Sequence, residues 1–202
     1  MIKFETKIQG QFNRFYLKDK KFSMLHTYYF KTPLHFINIQ KNASTSLLNF
    51  LEKFQILDQS TDKKYWFTIV RNPLDRFKST MMYLKRYGID FLGSCLCKFP
   101  DNSTKEFFDM FCHFVPQHLH VEWFEQRYDI KYFNIKNLDP LKLELEKFTT
   151  TKIPILKLNQ SSYDKDSQEI LDKWIHENKN FVDDFLAPDY YWLDKIKSKI
   201  ID

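Results

Sequence analysis

Glycine is scarce in this sequence, with three in 202 residues. A Walker A phosphate loop needs Gly-x-x-x-x-Gly-Lys-Ser/Thr, and nothing of that form is present. Cysteine is equally sparse. Cys95, Cys97 and Cys112 make no disulfide framework, which favours a reducing compartment. Drawn together with His113 they match no strong zinc spacing, and buried free thiols are the expectation, with no metal. No uncharged run approaches the 18 or so residues of a membrane span. The first residues carry charges throughout and contain no apolar signal-peptide core, so a cytoplasmic chain without a membrane span is expected. Charge of one sign is also lacking. Lysine and arginine number 31 against 26 acids, a net +5, which suits an anionic ligand and falls short of what nucleic acid requires.

What is abundant is apolar and aromatic. Hydrophobic residues make up 43% and aromatics 18%, including 21 Phe and 11 Tyr. That is enough for one substantial core, and the chain reads as a single domain over 1–202. "HFINI" and "YWFTIV" read as buried strands, and "IKYFNI" as a third. "MLHTYYF" is a further candidate strand, and "IPILKL" a short extended segment. Helical spacing appears over 44–56, over "STKEFFDMFCHF", near 139–148 and through most of the chain after Asp164. "NPLDRFKSTMMYLKRYG" reads as a helix with Asn72 as N-cap, Pro73 at its first position and Gly88 at its stop. Alternating strands and helices predict an α/β fold, a central parallel sheet flanked by helices with a helical last third. Ligands of such sheets bind at the carboxyl ends of the strands.

Two strand-to-helix junctions lie at such ends. In "QKNASTS" the opening N–H groups of a helix meet the positive end of its dipole, which makes a natural anion site. Ser44, Thr45 and Ser46 add hydroxyls, Lys41 adds a charge, and the small side chains allow close approach. The plainer alternative is that Asn42 or Ser44 caps the helix while Lys41 is solvated. In "IVRNPLDRFKS" a strand delivers Arg71 into a second helix start, with Ser79 eight residues on. Arginine offers a planar fork of donors for phosphate; an ion pair with Asp75 is the structural alternative. Two junctions, each with a cation and nearby hydroxyls, point to a ligand with two separate anionic groups.

"KNASTSL" and "IVRNPLDRFKS" together resemble the two cofactor motifs of sulfotransferases that use 3′-phosphoadenosine 5′-phosphosulfate (PAPS), in the carbohydrate-type branch. "HFVPQH", "LNQSSY" (with Asn159 and Ser161) and "DDFLAPDYYWL" are weaker echoes of the same family, so the likeness spans 35–193. It implies a kinase-like sulfotransferase fold. It also implies that Lys41, Asn42, Ala43, Ser44, Thr45 and Ser46 wrap the 5′-phosphosulfate, and that Arg71 and Ser79 hold the 3′-phosphate. Gln40 stands where that family usually has proline. Transfer to a hydroxyl, with a carbohydrate as the implied acceptor, would use Lys41 at the leaving oxygen. A general base would assist, with His113 first among the candidates and His118, Glu122 and Glu125 behind it. His113 has a competing reading as a packing residue. Two other readings of the chain stay open: a nucleotide kinase-like phosphoryl transferase, and a nucleotide-binding module without turnover.

Overall fold

The computed structural model describes residues 28–31, 33–53, 65–86, 113–149, 153 and 164–202. Its centre is a five-stranded sheet in the order β1-β2-β3-β4-β5. The strands are β1 (Tyr28–Lys31), β2 (Leu34–Ile37), β3 (Tyr65–Val70), β4 (Ile130–Asn134) and β5 (Ile200–Ile201). β2 to β5 pair in parallel. β1 runs antiparallel to β2, with Lys31 opposite Leu34, so the expected parallel sheet carries an antiparallel edge strand. The two strands are too close in sequence for the long crossover that parallel pairing needs.

Helices cover both faces, which is why the strands read as continuous apolar runs. Along β3, Phe67 and Ile69 join Leu34 and Phe36 of β2 in one core layer, beneath Leu47 and Leu51 of α1 (Ser44–Lys53). Trp66 and Val70 project to the opposite layer, with Ile37, Tyr132 and the helix residues Val121, Phe124, Trp192 and Ile196. The period of two in β3 thus decides which residue serves which layer. Phe67 is fully buried, and burying a side chain of that size contributes about 1.5–3 kcal/mol. The remaining helices are α2 (Pro73–Arg86), α3 (Gln117–Glu125), α4 (Asp139–Glu146), α5 (Lys165–Glu177) and α6 (Lys179–Ile196). α2, α5 and α6 share a third cluster built on Phe77, Met81, Leu171 and Leu186. Among the described residues, no helix is long and apolar enough to cross a membrane.

The helix starts follow their caps. The Asn72 side chain accepts from the backbone N–H of Asp75 at 3.1 Å, the expected cap of α2. Asp164, fully exposed, caps α5 by accepting from the N–H of Ser167 at 2.7 Å. Its hydrogen bonds with Ser167, first through the side chain and then through the backbone, hold its carboxyl below the usual aspartate value. A depressed carboxylate stabilises the fold above the pKa of the unfolded chain, and that contribution is lost as pH falls through the lower folded value. Asp164→Ala is therefore expected to lower the melting temperature at neutral pH, with the deficit vanishing in strong acid. A deficit that stays constant with pH would refute this.

Some expected elements differ. His113 and Phe114 lie in a turn, not at the end of a helix, because Pro116 favours an extended residue before it and opens α3 at Gln117. α3 itself and the short β5 were not anticipated. Cys95, Cys97 and Cys112, expected as buried free thiols, together with Gly88, most of "STKEFFDMFCHF", "IPILKL" beyond Ile153, and Asn159 with Ser161, lie outside the described residues.

Candidate functional site

β2 and β3 are hydrogen-bonded neighbours running in parallel, so the segments that leave their carboxyl ends emerge side by side. The first is residues 38–43. Lys41 and Ala43 have φ of 66° and 65°, and Asn42 between them does not share that left-handed region. Neither residue is glycine, so each such conformation costs about 1–2 kcal/mol and persists only where its surroundings impose it. The Asn42 N–H turns back onto the Ile39 carbonyl at 3.1 Å and closes the loop into a tight turn. α1 follows at once. Its first intrahelical bond is from Leu47 N–H to the Ala43 carbonyl, so the N–H groups of Ser44, Thr45 and Ser46 form the positive opening turn at this loop. The side chains of Ser44 and Thr45 lie outside what the structure describes.

The surroundings that impose the loop shape are identifiable. Asn42 is 1% exposed, and its Nδ2 donates to the Ile69 carbonyl at 2.8 Å and to Gln117 Oε1 at 2.7 Å. Arg71 Nη1 donates to the Lys41 carbonyl at 3.0 Å, and Arg76 Nε to the Gln40 carbonyl at 2.9 Å. Two arginines from the second junction thus brace the backbone of the first. Arg71 was expected to hold a ligand anion or to pair with Asp75; here one of its N–H groups tightens the neighbouring loop.

The second junction is held by the same glutamine. Gln117 Oε1 accepts from the Arg71 N–H at 3.1 Å, and Gln117 Nε2 donates to the Arg71 carbonyl at 2.8 Å. The backbone N–H of Gln117 donates in turn to Asp189 Oδ1 at 2.5 Å. Asp189, from α6, is buried and lies 3.8 Å from Arg76 Nη1 and 3.7 Å from His118 Nδ1.

Arg76, Ser79 and Tyr83 follow at helical i, i+3, i+7 spacing and so share one stripe of α2. At one end of the stripe Arg76 bonds Gln40. At the other, the Tyr83 ring lies under the Lys41 ammonium, 3.9 Å from its centroid. Ser79, 7% exposed, sits between them. His113 stacks on the same Tyr83 ring at 4.7 Å, so this first candidate base and the loop lysine share one aromatic platform. His118 faces Asp189 instead. Glu125 is engaged elsewhere. It accepts from Tyr132 Oη at 2.5 Å and Trp192 Nε1 at 3.2 Å, and burial followed by that first bond pushes the Tyr132 phenol up. Glu122 is exposed on α3. Asp75, the expected alternative partner of Arg71, lies 3.9 Å from Lys136.

The structure therefore brings Lys41, Asn42, Ala43, Arg71, Ser79 and His113 to one end of the sheet. Sequence reasoning did not single out Gln117, Arg76, Tyr83 or Asp189 for this site. Gln117 and Asp189 lie inside "HFVPQH" and "DDFLAPDYYWL", which was the available signal. No protein-family model matches this chain, nor does any curated protein or solved structure.

Proposed function

We propose that this protein is a PAPS-dependent sulfotransferase acting on a hydroxyl acceptor, with a carbohydrate as the acceptor class its motifs resemble. The observation that carries the reading is the adjacency of the two junctions. A strained, glycine-free loop opening α1 lies beside Arg71 and is tied to it through the Lys41 carbonyl. This arrangement suits a ligand with two anionic groups, one at each junction. The left-handed residues at 41 and 43, and the small side chain of Ala43, fit close approach of a phosphosulfate to backbone. When bound, PAPS would supply the sulfuryl group together with a stable leaving group, adenosine 3′,5′-bisphosphate.

The roles of the chain's own residues follow from their positions. The opening turn of α1 and the 41–43 loop bind and orient the 5′ end. Lys41 sets a positive charge where negative charge gathers on the leaving oxygen. Ser79 and the Arg71 guanidinium bind the 3′-phosphate, which distinguishes this nucleotide from ATP. His113, stacked on the same Tyr83 ring that carries the Lys41 ammonium, takes the proton of the attacking hydroxyl. Positioning and charge stabilisation carry most of the catalysis in such transfers.

Calorimetric titration with adenosine 3′,5′-bisphosphate, ATP and adenosine 5′-phosphate tests the reading. The bisphosphate is expected to bind at least about tenfold more tightly than either control, and Arg71→Ala to weaken it by about tenfold or more. Equal binding of ATP would overturn the assignment in favour of phosphoryl transfer.

A further inference from the structure

We propose that Gln117 is a positioning residue that sets the spacing between the two anion sites, and so makes the protein selective for nucleotides phosphorylated at both ends of the ribose. The proposal rests on the reading that both junctions hold one ligand. The Gln117 carboxamide is fully buried and touches both junctions at once. Its Oε1 accepts from Asn42 Nδ2 in the first and from the Arg71 N–H in the second, while its Nε2 returns a bond to the Arg71 carbonyl. An amide both donates and accepts from a single planar end without carrying charge. A carboxylate of the same shape would face the Arg71 carbonyl without a proton to offer.

Gln117 is itself fixed from outside the two junctions. Its backbone N–H is held by Asp189, and Asp189 also faces Arg76, whose Nε bonds the Gln40 carbonyl. The first junction is thus reached by two routes from α6, through Asp189–Gln117–Asn42 and through Asp189–Arg76–Gln40. A ligand that engages both sites gains from their fixed separation, because binding at one presents its other group to the second at high effective concentration. A ligand with one phosphate gains nothing from that separation. Gln117 therefore acts on two-point ligands selectively, and a general structural role would not have this signature.

The test compares three probes, adenosine 3′,5′-bisphosphate, adenosine 3′-phosphate and adenosine 5′-phosphate, on the wild-type chain, Gln117→Leu and Gln117→Asn. Gln117→Asn keeps the amide but is too short to span both junctions, so it serves if the leucine variant folds poorly. The bisphosphate is expected to lose about tenfold or more in affinity while each monophosphate stays within about threefold of wild type. A parallel loss for all three probes would overturn the proposal, since it would mean a general loosening of the fold. Unchanged bisphosphate selectivity in both variants would overturn it too, and would leave the two-anion reading standing. A wild-type chain with no preference for the bisphosphate would remove both.

Discussion

If the proposed transfer is the protein's reaction, Lys41→Ala is expected to lower its turnover number by about 100- to 1,000-fold, the usual effect of deleting one donor aimed at developing charge. The affinity for adenosine 3′,5′-bisphosphate should change far less. In the proposed transfer, charge on the bridging oxygen would grow as its bond to sulfur breaks, so the lysine would act mainly on the transition state and the loss would belong in kcat. Alanine is a clean replacement here. Lys41 has a φ of 66°, and alanine keeps the Cβ that makes this conformation costly, so the loop strain is left unchanged. The Lys41 ammonium rests over Tyr83 at 3.9 Å, a contact of about 0.5–1 kcal/mol that a developing anion easily outcompetes. Donor consumption over a panel of hydroxyl acceptors is the measurement. A kcat within about threefold of wild type would remove Lys41 from the chemistry.

Asp189→Ala is expected to be the most destabilising change at the site, by about 3–5 kcal/mol, because it strands a buried charge and a buried donor together. The side chains of Asp189 and Arg76 are 4% and 6% exposed, so solvent cannot take over the missing role. Removal of the carboxylate takes the buried counter-charge from Arg76 and deprives the Gln117 N–H of its acceptor. For a chain of this length that amounts to a melting temperature lower by about 10 °C. A buried pair broken on one side costs more than a pair replaced whole. The double variant Arg76→Met with Asp189→Leu should therefore recover part of the loss, even though it gives up the brace on Gln40. Thermal denaturation of the three variants checks this. A double variant less stable than Asp189→Ala would show that the bond from Arg76 to the loop outweighs the charge problem.

Both predictions turn on residues whose legibility differed. Lys41 and Arg71 could be read directly, because a cation placed between an apolar run and a helical repeat is a local pattern. The same holds for the Asn72 cap and for the alternation that sorts Trp66 and Phe67 to opposite faces. Gln117 and Asp189 carry no such pattern. A buried amide and a buried carboxylate look like ordinary surface residues until their partners are known, and here the partners of their hydrogen bonds lie 46 to 75 residues away. α3 escaped notice because "QHLHVEWFE" has histidine and glutamate among its apolar positions, and His120 is buried as completely as Val121. β5 is two residues long, and its strand character comes from pairing with β4.

The sequence by itself determined the α/β alternation, the apolar strands, the starts of α2 and α5 and the two candidate anion junctions. All of these rest on interactions within a few residues, or on a periodicity that burial demands. Only the tertiary structure decided that the two junctions lie side by side and that Lys41 and Ala43 adopt left-handed backbone. It alone decided that one glutamine, fixed by the last long helix, joins the junctions. Sheet order is set by which strands pair across long stretches of chain, and strained backbone is set by what surrounds it, so neither is written in any short run of residues.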